Sequence, residues 1–187
     1  MTRKFLPIIF DIETTGLNPQ YDEVVVIGYS KSNLEKPRIF PRIRSERKII
    51  NSFIKDLEKW RNKYEDICLV GYNIRRFDIE FLIKRASHYG LVFPELPVID
   101  LIDIAGKYVR KRYPKLIEVA EYFDIPYDKE VSGKEVPELW KLGERGKVIS
   151  HCEKDVLTEL QLFLKVEMDC KVYFKKKYGI DVEFIKI

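Results

Sequence analysis

The stretch FLPIIFDIETTGL, residues 5–17, most strongly constrains how this chain folds. Its first eight residues, FLPIIFDI, are apolar and rich in β-branched side chains except for one aspartate. That pattern is typical of a strand that is buried on both faces of a sheet. Because such sheets carry helices on both sides, the segment favours an α/β fold.

The rest of the chain continues the α/β pattern. Further strands at 23–31 and 37–43 predict an antiparallel meander with the first, and a fourth strand at 66–73 is expected to return parallel to it. We therefore predict an α/β domain over residues 1–187 whose mixed central sheet has three antiparallel strands followed by parallel strands, flanked by helices. The remaining predictions are helices at 45–60, 76–90, 114–125, 137–143 and 146–168, and a short strand running into a helix at 97–111. The tail after residue 168 fits a helix or a strand.

The composition excludes several classes of protein. Hydrophobic residues make up 45% of the chain, which is enough for a core and argues against disorder. The longest apolar runs are strand-sized, so we predict no membrane span, no signal peptide and a cytoplasmic location. The three cysteines, Cys68, Cys152 and Cys170, lack metal-binding spacing and are expected to be reduced. Abundant charge with almost no glutamine suggests a thermophilic source.

Basic residues form three clusters, at 42–48, 110–115 and 175–178, in a chain of net charge +4. Each cluster fits solvated surface as well as contact with nucleic-acid phosphates. The cluster at 110–115, RKRYPK, also contains a tyrosine, so it is a candidate track for a nucleic-acid backbone. Arg75 and Arg76 are further candidates for phosphate contact.

Acidic side chains follow three of the predicted elements. Asp11 and Glu13 lie two residues apart on the first strand, so they point to the same face with Cα atoms about 7 Å apart. Asp78 opens the helix after the fourth strand, whose carboxyl end shares an edge of the sheet with that of the first. Asp155 lies within a helix, with His151 one turn earlier on the same face. Taken alone, Asp11 and Glu13 also fit solvated acids at a strand end, Asp78 an acid favoured by the helix dipole, and Asp155 a pair with His151 on a solvated face. Together, their oxygen ligands suit Mg²⁺ or Mn²⁺.

In chain order, DIETTGL (11–17), NIRRFD (73–78) and HCEKD (151–155) closely resemble the three motifs of the DEDD (DnaQ-like) 3′–5′ exonuclease superfamily. That superfamily has a ribonuclease H-like fold. The resemblance covers about residues 5–168 and leaves 169–187 as a C-terminal extension. With SGKEVPELW (132–140), the chain is also similar to the exonuclease module related to family B DNA polymerases, here standing alone.

The resemblance implies a 3′–5′ exonuclease that hydrolyses phosphodiester bonds at the 3′ end of single-stranded or frayed DNA by a two-metal-ion mechanism. It implies that Asp11, Glu13, Asp78 and Asp155 are catalytic and bind two divalent cations, Mg²⁺ or Mn²⁺. Leu17 would wedge against the last base, with ordinary core packing as the alternative. The implied substrate-binding residues are Thr14, Thr15, Gly16, Leu17, Asn73, Arg76 and Phe77.

The third motif departs from both branches of that superfamily. One branch has a tyrosine four residues before the last aspartate, and the other has a histidine five residues before it. Here His151 occupies the four-residue spacing, and Ser150 stands at the five-residue spacing. Because histidine changes protonation near neutral pH, we expect His151 to be catalytic and to orient or deprotonate the attacking water.

Other functions stay open at this point. The alternatives are a 3′–5′ exoribonuclease, or a weakly active or non-catalytic ribonuclease H-like module that binds nucleic acid or docks a DNA replication or repair protein. The sequence leaves the oligomeric state open. Asp100 and Asp103 are candidates for helix caps or for support of the site, and core packing is the expected role of Tyr72 and Trp140.

Overall fold

The computed structural model describes residues 2–31, 36–64, 66–127 and 131–186. Strands and helices follow one another in the α/β order that the sequence predicts. They are β1 (Thr2–Thr14), β2 (Val24–Lys31), β3 (Arg38–Pro41), α1 (Glu46–Tyr64), β4 (Ile67–Gly71), α2 (Asp78–His88), β5 (Val98–Asp100), α3 (Leu101–Val109), α4 (Leu116–Tyr122), α5 (Val136–Lys141), α6 (Arg145–Lys165), α7 (Glu167–Tyr178) and β6 (Asp181–Phe184).

The sheet has the predicted mixed polarity, with the strand order β3-β2-β1-β4-β5. Strands β1, β2 and β3 form an antiparallel meander. Strands β4 and β5 then extend the other side in parallel to β1. The last strand, β6, pairs in parallel with residues 2–5 of β1. This confirms the predicted fold class and places β1 at the centre of the sheet.

Residue alternation along β1 divides the core into two layers. Leu6, Ile8 and Phe10 pack on one face in a cluster that includes the apolar residues of α1 and α2. Phe5 and Ile9 pack on the other face with residues of α3, α4, α6 and α7. Because side chains alternate along a strand, Asp11 and Glu13 continue the row of Phe5 and Ile9 and point toward the α6 side.

The tail that the sequence leaves ambiguous is a helix followed by a strand. The predicted helix 146–168 ends at Lys165, and α7 starts after Val166, whose φ of −110° departs from helical geometry. Helix α7 buries two residues one turn apart, Cys170 and Phe174, which is too short an apolar stripe to reveal a helix in the sequence. Phe174 packs on Phe5 of β1 with ring centroids 4.8 Å apart, so the tail contributes to the core.

The fourth strand is shorter than the predicted 66–73, since β4 ends at Gly71. Asn73 therefore does not end the strand, but adopts a φ of +62° in the turn that leads to α2. Asparagine tolerates this left-handed conformation better than most residues. The turn brings Asp78 back to the edge of the sheet as the first residue of α2.

Two predictions from composition concern the whole chain. The cysteines Cys68, Cys152 and Cys170 are free and buried. Among the described residues, no helix combines the length and the apolar character that a membrane span requires.

Candidate active site

The predicted acids converge on one cavity of about 680 Å³ at the end of β1. Asp11 and Glu13 reach it from β1, Asp78 from the start of α2, and Asp155 from the middle of α6. His151 lines the same cavity from α6. Side chains 144 residues apart in the chain, from 11 to 155, therefore share one space because β1 lies at the centre of the sheet.

A glycine lets α6 approach the sheet closely at this point. Gly28 of β2 pairs with Asp11 of β1, and a Cβ at Gly28 would lie 2.8 Å from the Sγ of Cys152. Real Cβ atoms do not come so close, so any larger residue would displace the Cys152 side chain of α6. The Cys152 thiol lies 3.7 Å from the Asp11 carbonyl oxygen, to which it donates. Residue 28 thus sets the distance between α6 and the acids of β1.

Asp78 is tied to β1 by a direct hydrogen bond. The backbone N–H of Ile12 donates to Asp78 Oδ1 over 3.2 Å. Asp78 also stands at the N-terminus of α2, where the helix dipole favours a negative charge. This contact fixes the carboxylate beside Asp11 and Glu13, which flank Ile12 in the strand.

Burial raises the pKa of every acid in the group, and repulsion from neighbouring carboxylates adds to the rise for Asp11, Glu13 and Asp78. The pKa values of Asp11 and Glu13 lie well above the usual range, first because of burial and then because of the neighbouring carboxylates. Burial raises the pKa of Asp78 to about 7, against partial relief from two backbone N–H groups. Burial also raises the pKa of Asp155, although His151 and Tyr127 lower it in part. Four carboxylates in this space need a positive counter-charge to ionise together.

The residues present fit divalent cations as that counter-charge. Asp11 Oδ2 and Asp155 Oδ1 are buried and have no hydrogen-bond partner among the described residues. Glu13, His151 and Asp155 each offer one ligand atom, and these atoms lie within 4.8 Å of one another. A donor set dominated by carboxylate oxygens suits Mg²⁺ or Mn²⁺.

His151 faces two of the acids at once. Its Nε2 lies 3.8 Å from Glu13 Oε1 and 3.6 Å from Asp155 Oδ2. The imidazole is 6% exposed, so its environment is set by these carboxylates rather than by solvent. The four-residue spacing therefore does bring the histidine into the cavity.

Five of the residues implied for substrate binding line the cavity: Thr14, Gly16, Leu17, Asn73 and Phe77. The Leu17 side chain is 82% exposed, so core packing is not its role. The Thr14 hydroxyl donates to the Gly16 carbonyl over 2.6 Å and closes the turn. A Cβ at Gly16 would lie 2.4 Å from Asp22 Oδ2, so a larger residue here would displace the Asp22 carboxylate from the turn.

The other two implied substrate residues lie outside the cavity lining. Thr15 turns toward β2, where its Oγ1 accepts a hydrogen bond of 2.9 Å from the Glu23 N–H. Arg76 lies on the surface, with its guanidinium 4.5 Å from the centre of the Tyr113 ring and hydrogen-bonded to the Tyr113 hydroxyl. Its neighbour Arg75 is held by the Val98 carbonyl and other groups of the protein, which argues against a phosphate contact.

Two buried carboxylates hold the turn that carries Asn73. Asp100 accepts hydrogen bonds from the N–H groups of Asn73, at 2.7 Å, and Arg75, at 3.0 Å. It also caps α3, so both roles suggested by the sequence apply. Glu159 accepts from the Tyr72 N–H at 2.9 Å. The sequence reasoning missed Glu159, although it follows Asp155 by four residues and hence shares a face of α6.

The sequence reasoning also missed Tyr127 and Lys134. Both line the cavity, in the region between α4 and α6. Burial, and then the nearby carboxylates of Asp155, Asp11 and Glu13, raise the pKa of the Tyr127 hydroxyl. No periodic pattern marks either residue, because their loop positions follow from tertiary packing alone.

Comparison with known proteins agrees with this geometry. A family profile described as the RNase_H superfamily matches residues 8–166. The uncharacterized protein MJ0365 of Methanocaldococcus jannaschii is 31% identical, over 87% of this chain and 95% of that protein. A DNA polymerase of Archaeoglobus fulgidus is 28% identical over 80% of this chain, which spans 21% of the polymerase.

Among solved structures, the fold matches the family B DNA polymerase of the hyperthermophilic archaeon Pyrobaculum calidifontis with a TM-score of 0.71 and 23% identity. The match covers 87% of this chain and 24% of the polymerase chain. The expected likeness to part of a family B DNA polymerase is therefore confirmed, as is the ribonuclease H-like fold. The chain spans about a fifth to a quarter of the polymerases described here.

Proposed function

Since the chain belongs to the RNase_H superfamily, we propose that it is a metal-dependent exonuclease that removes nucleotides from the 3′ end of single-stranded or frayed DNA. The observation that carries this proposal is the convergence of Asp11, Glu13, Asp78 and Asp155 on one cavity. The exposed Leu17 at the same cavity supports action on a strand end.

The four carboxylates would hold two divalent cations, Mg²⁺ or Mn²⁺. When bound, such ions activate a water molecule and stabilise the negative charge that develops on the phosphate. The protein contributes the placement of the donors: Ile12 fixes Asp78, and the approach of α6 fixes Asp155 opposite Asp11 and Glu13. Without cations, the same cavity would repel a phosphodiester.

His151 is proposed to orient or deprotonate the attacking water. Its Nε2 lies between the carboxylates of Glu13 and Asp155, which are both proposed metal ligands. A neutral imidazole nitrogen can take a proton from water, whereas a protonated one cannot. The hydrolysis rate is thus expected to fall toward acidic pH, and His151→Ala is expected to lower the rate and remove that acidic limb.

A pH–rate profile of wild type and His151→Ala tests this role. His151→Gln serves as the matched control. Its side chain is still polar and fills similar space, but it cannot act as a base near neutral pH. If His151→Ala keeps the full rate and an unchanged acidic limb, the histidine has no part in the reaction.

The strand end is proposed to enter between Leu17 and the turn that carries Asn73. Leu17 is placed to separate the terminal base from its neighbour, while Thr14, Gly16 and Asn73 border the path of the sugar and phosphate. Thr15 is excluded from this contact because its hydroxyl accepts from Glu23. The exposed Arg76 is placed to bind a phosphate further along the strand.

The decisive experiment follows the degradation of DNA and RNA single strands labelled at the 3′ or the 5′ end, in Mg²⁺, in Mn²⁺ and in EDTA. Wild type is expected to shorten DNA from the 3′ end only when metal is present. Asp11→Asn is expected to abolish cleavage, whereas the matched control Asp181→Asn, at an exposed position of strand β6, should retain it. Preferential cleavage of RNA would reassign the substrate, and binding without cleavage of any strand would identify a non-catalytic module.

The proposed setting is DNA replication or repair in the cytoplasm of a thermophile, with a replication or repair protein as partner. Support comes from the two polymerase relatives and from the free thiols of Cys68, Cys152 and Cys170. Heat adaptation is tested by thermal unfolding, and a melting temperature in the ordinary mesophilic range of about 45–65 °C would contradict it.

A further inference from the structure

We propose that Tyr127 is a positioning residue of this site, whose hydroxyl holds Asp155 in the orientation required for binding the divalent cation. The inference rests on the proposed metal-dependent function and adds to it a residue that lies outside the three sequence motifs. Its basis is the placement of Tyr127 in the wall of the same cavity as the four carboxylates.

Tyr127 reaches the cavity from the segment that follows α4. Ile125, two residues earlier, is buried in the core cluster formed with α6 and α7, and the Tyr127 ring packs against that cluster. The ring is thus supported by the core, while the hydroxyl shares the cavity wall with Asp155 on α6 and lowers the pKa of that carboxyl. A tyrosine anchored in this way presents a hydroxyl group at a fixed position.

Asp155 needs such a partner because its surroundings repel it. Glu13 and Asp11 lie in the same cavity, and one Asp155 oxygen, Oδ1, is buried with no hydrogen-bond partner among the described residues. His151 lies 3.6 Å from the other oxygen, Oδ2. His151 lies on the same helix as Asp155. A hydroxyl donor from outside α6 therefore restrains the Asp155 carboxylate from a second direction.

The test uses Tyr127→Phe, which removes the hydroxyl and keeps the ring. Mn²⁺ binding is measured by titration calorimetry without nucleic acid, and kcat and KM are measured on a 3′-labelled single strand. We expect Mn²⁺ affinity and kcat each to fall by about 10- to 100-fold, as is usual when a group that orients a metal ligand is lost. The KM for the strand should stay within about twofold of wild type, since the hydroxyl is assigned to Asp155 and not to the substrate.

Tyr122→Phe is the matched control, because Tyr122 is a half-exposed tyrosine at the end of α4, outside the cavity lining. It should leave both measurements unchanged. A double-mutant cycle with Asp155→Asn adds a second criterion: if Tyr127 acts through Asp155, then Tyr127→Phe should cause no further loss of Mn²⁺ affinity in the Asp155→Asn background. Thermal unfolding of each variant verifies that the fold is retained.

The outcomes separate this inference from the proposed function. Wild-type Mn²⁺ affinity and kcat in Tyr127→Phe would overturn the role of Tyr127 while leaving the exonuclease proposal intact. Reduced Mn²⁺ affinity in Tyr127→Phe, in a protein that cleaves no strand, would support the role of Tyr127 and refute the exonuclease. Absence of Mn²⁺ binding to wild type would overturn both.

Discussion

Replacing Asp78 with asparagine is expected to stabilise the metal-free protein while it abolishes activity. Asp78 is 4% exposed and shares the cavity with Asp11, Glu13 and Asp155, so its charge destabilises the folded state when no cation is present. Asparagine is neutral and nearly the same size, and its Oδ1 can still accept the hydrogen bond from the Ile12 N–H. The substitution therefore removes a charge without creating a cavity.

The size of the effect follows from the pKa of Asp78, which rises from 3.8 to about 7 on folding. Because the folded carboxyl binds its proton more tightly than the unfolded one, the free energy of unfolding falls as the pH rises through this interval. A shift of about three pKa units corresponds to roughly 4 kcal/mol, of which about 3 kcal/mol develops between pH 5 and pH 8. Below about pH 4 the effect disappears, since the carboxyl is then protonated in both states.

The assay is urea-induced unfolding of wild type and Asp78→Asn in EDTA at pH 5 and pH 8, with Asp181→Asn as the exposed control. The stability difference between Asp78→Asn and wild type should be about 3 kcal/mol larger at pH 8 than at pH 5. Addition of Mn²⁺ at pH 8 should stabilise wild type much more than Asp78→Asn. Equal stability of wild type and Asp78→Asn at pH 8 in EDTA would refute the electrostatic reasoning.

Three further predictions concern the surroundings of the site. Asp100→Ala leaves two loop N–H groups without their acceptor. It should lower the free energy of unfolding in urea by about 2–4 kcal/mol and also lower kcat. An unchanged kcat would show that the turn has no part in catalysis. Glu46→Ala leaves the 7% exposed Arg85 without its carboxylate partner and should cost about 3–5 kcal/mol, measured by the same assay. Leu17→Ala, at an 82% exposed position, should leave the melting temperature unchanged but slow digestion of base-paired 3′ ends more than that of single strands. Equal slowing on both substrates would contradict the proposed role of Leu17 as a wedge against the last base.

Local patterns sufficed for most of the fold. The doubly buried run 5–12 required a sheet covered on both sides, and β1 does lie at its centre. The period of two along a strand placed Asp11 and Glu13 on one face of β1. Helical spacing placed His151 and Asp155 on one face of α6. The predicted ends of strands and helices were less accurate where tertiary contacts decide them. An example is Asn73, which was predicted to end a strand but lies in a turn held by the carboxylate of Asp100.

The sequence by itself determined the composition of the site: four acids and a histidine on elements whose periodicity points them toward one edge of the sheet. Only the tertiary structure decided that Thr15 and Arg75 turn toward other partners, and that Tyr127 lines the same cavity as Asp155. The reason is that a periodic pattern records which face a residue occupies within its own element. The partner that a loop residue meets depends on how separate elements pack, which no local pattern encodes.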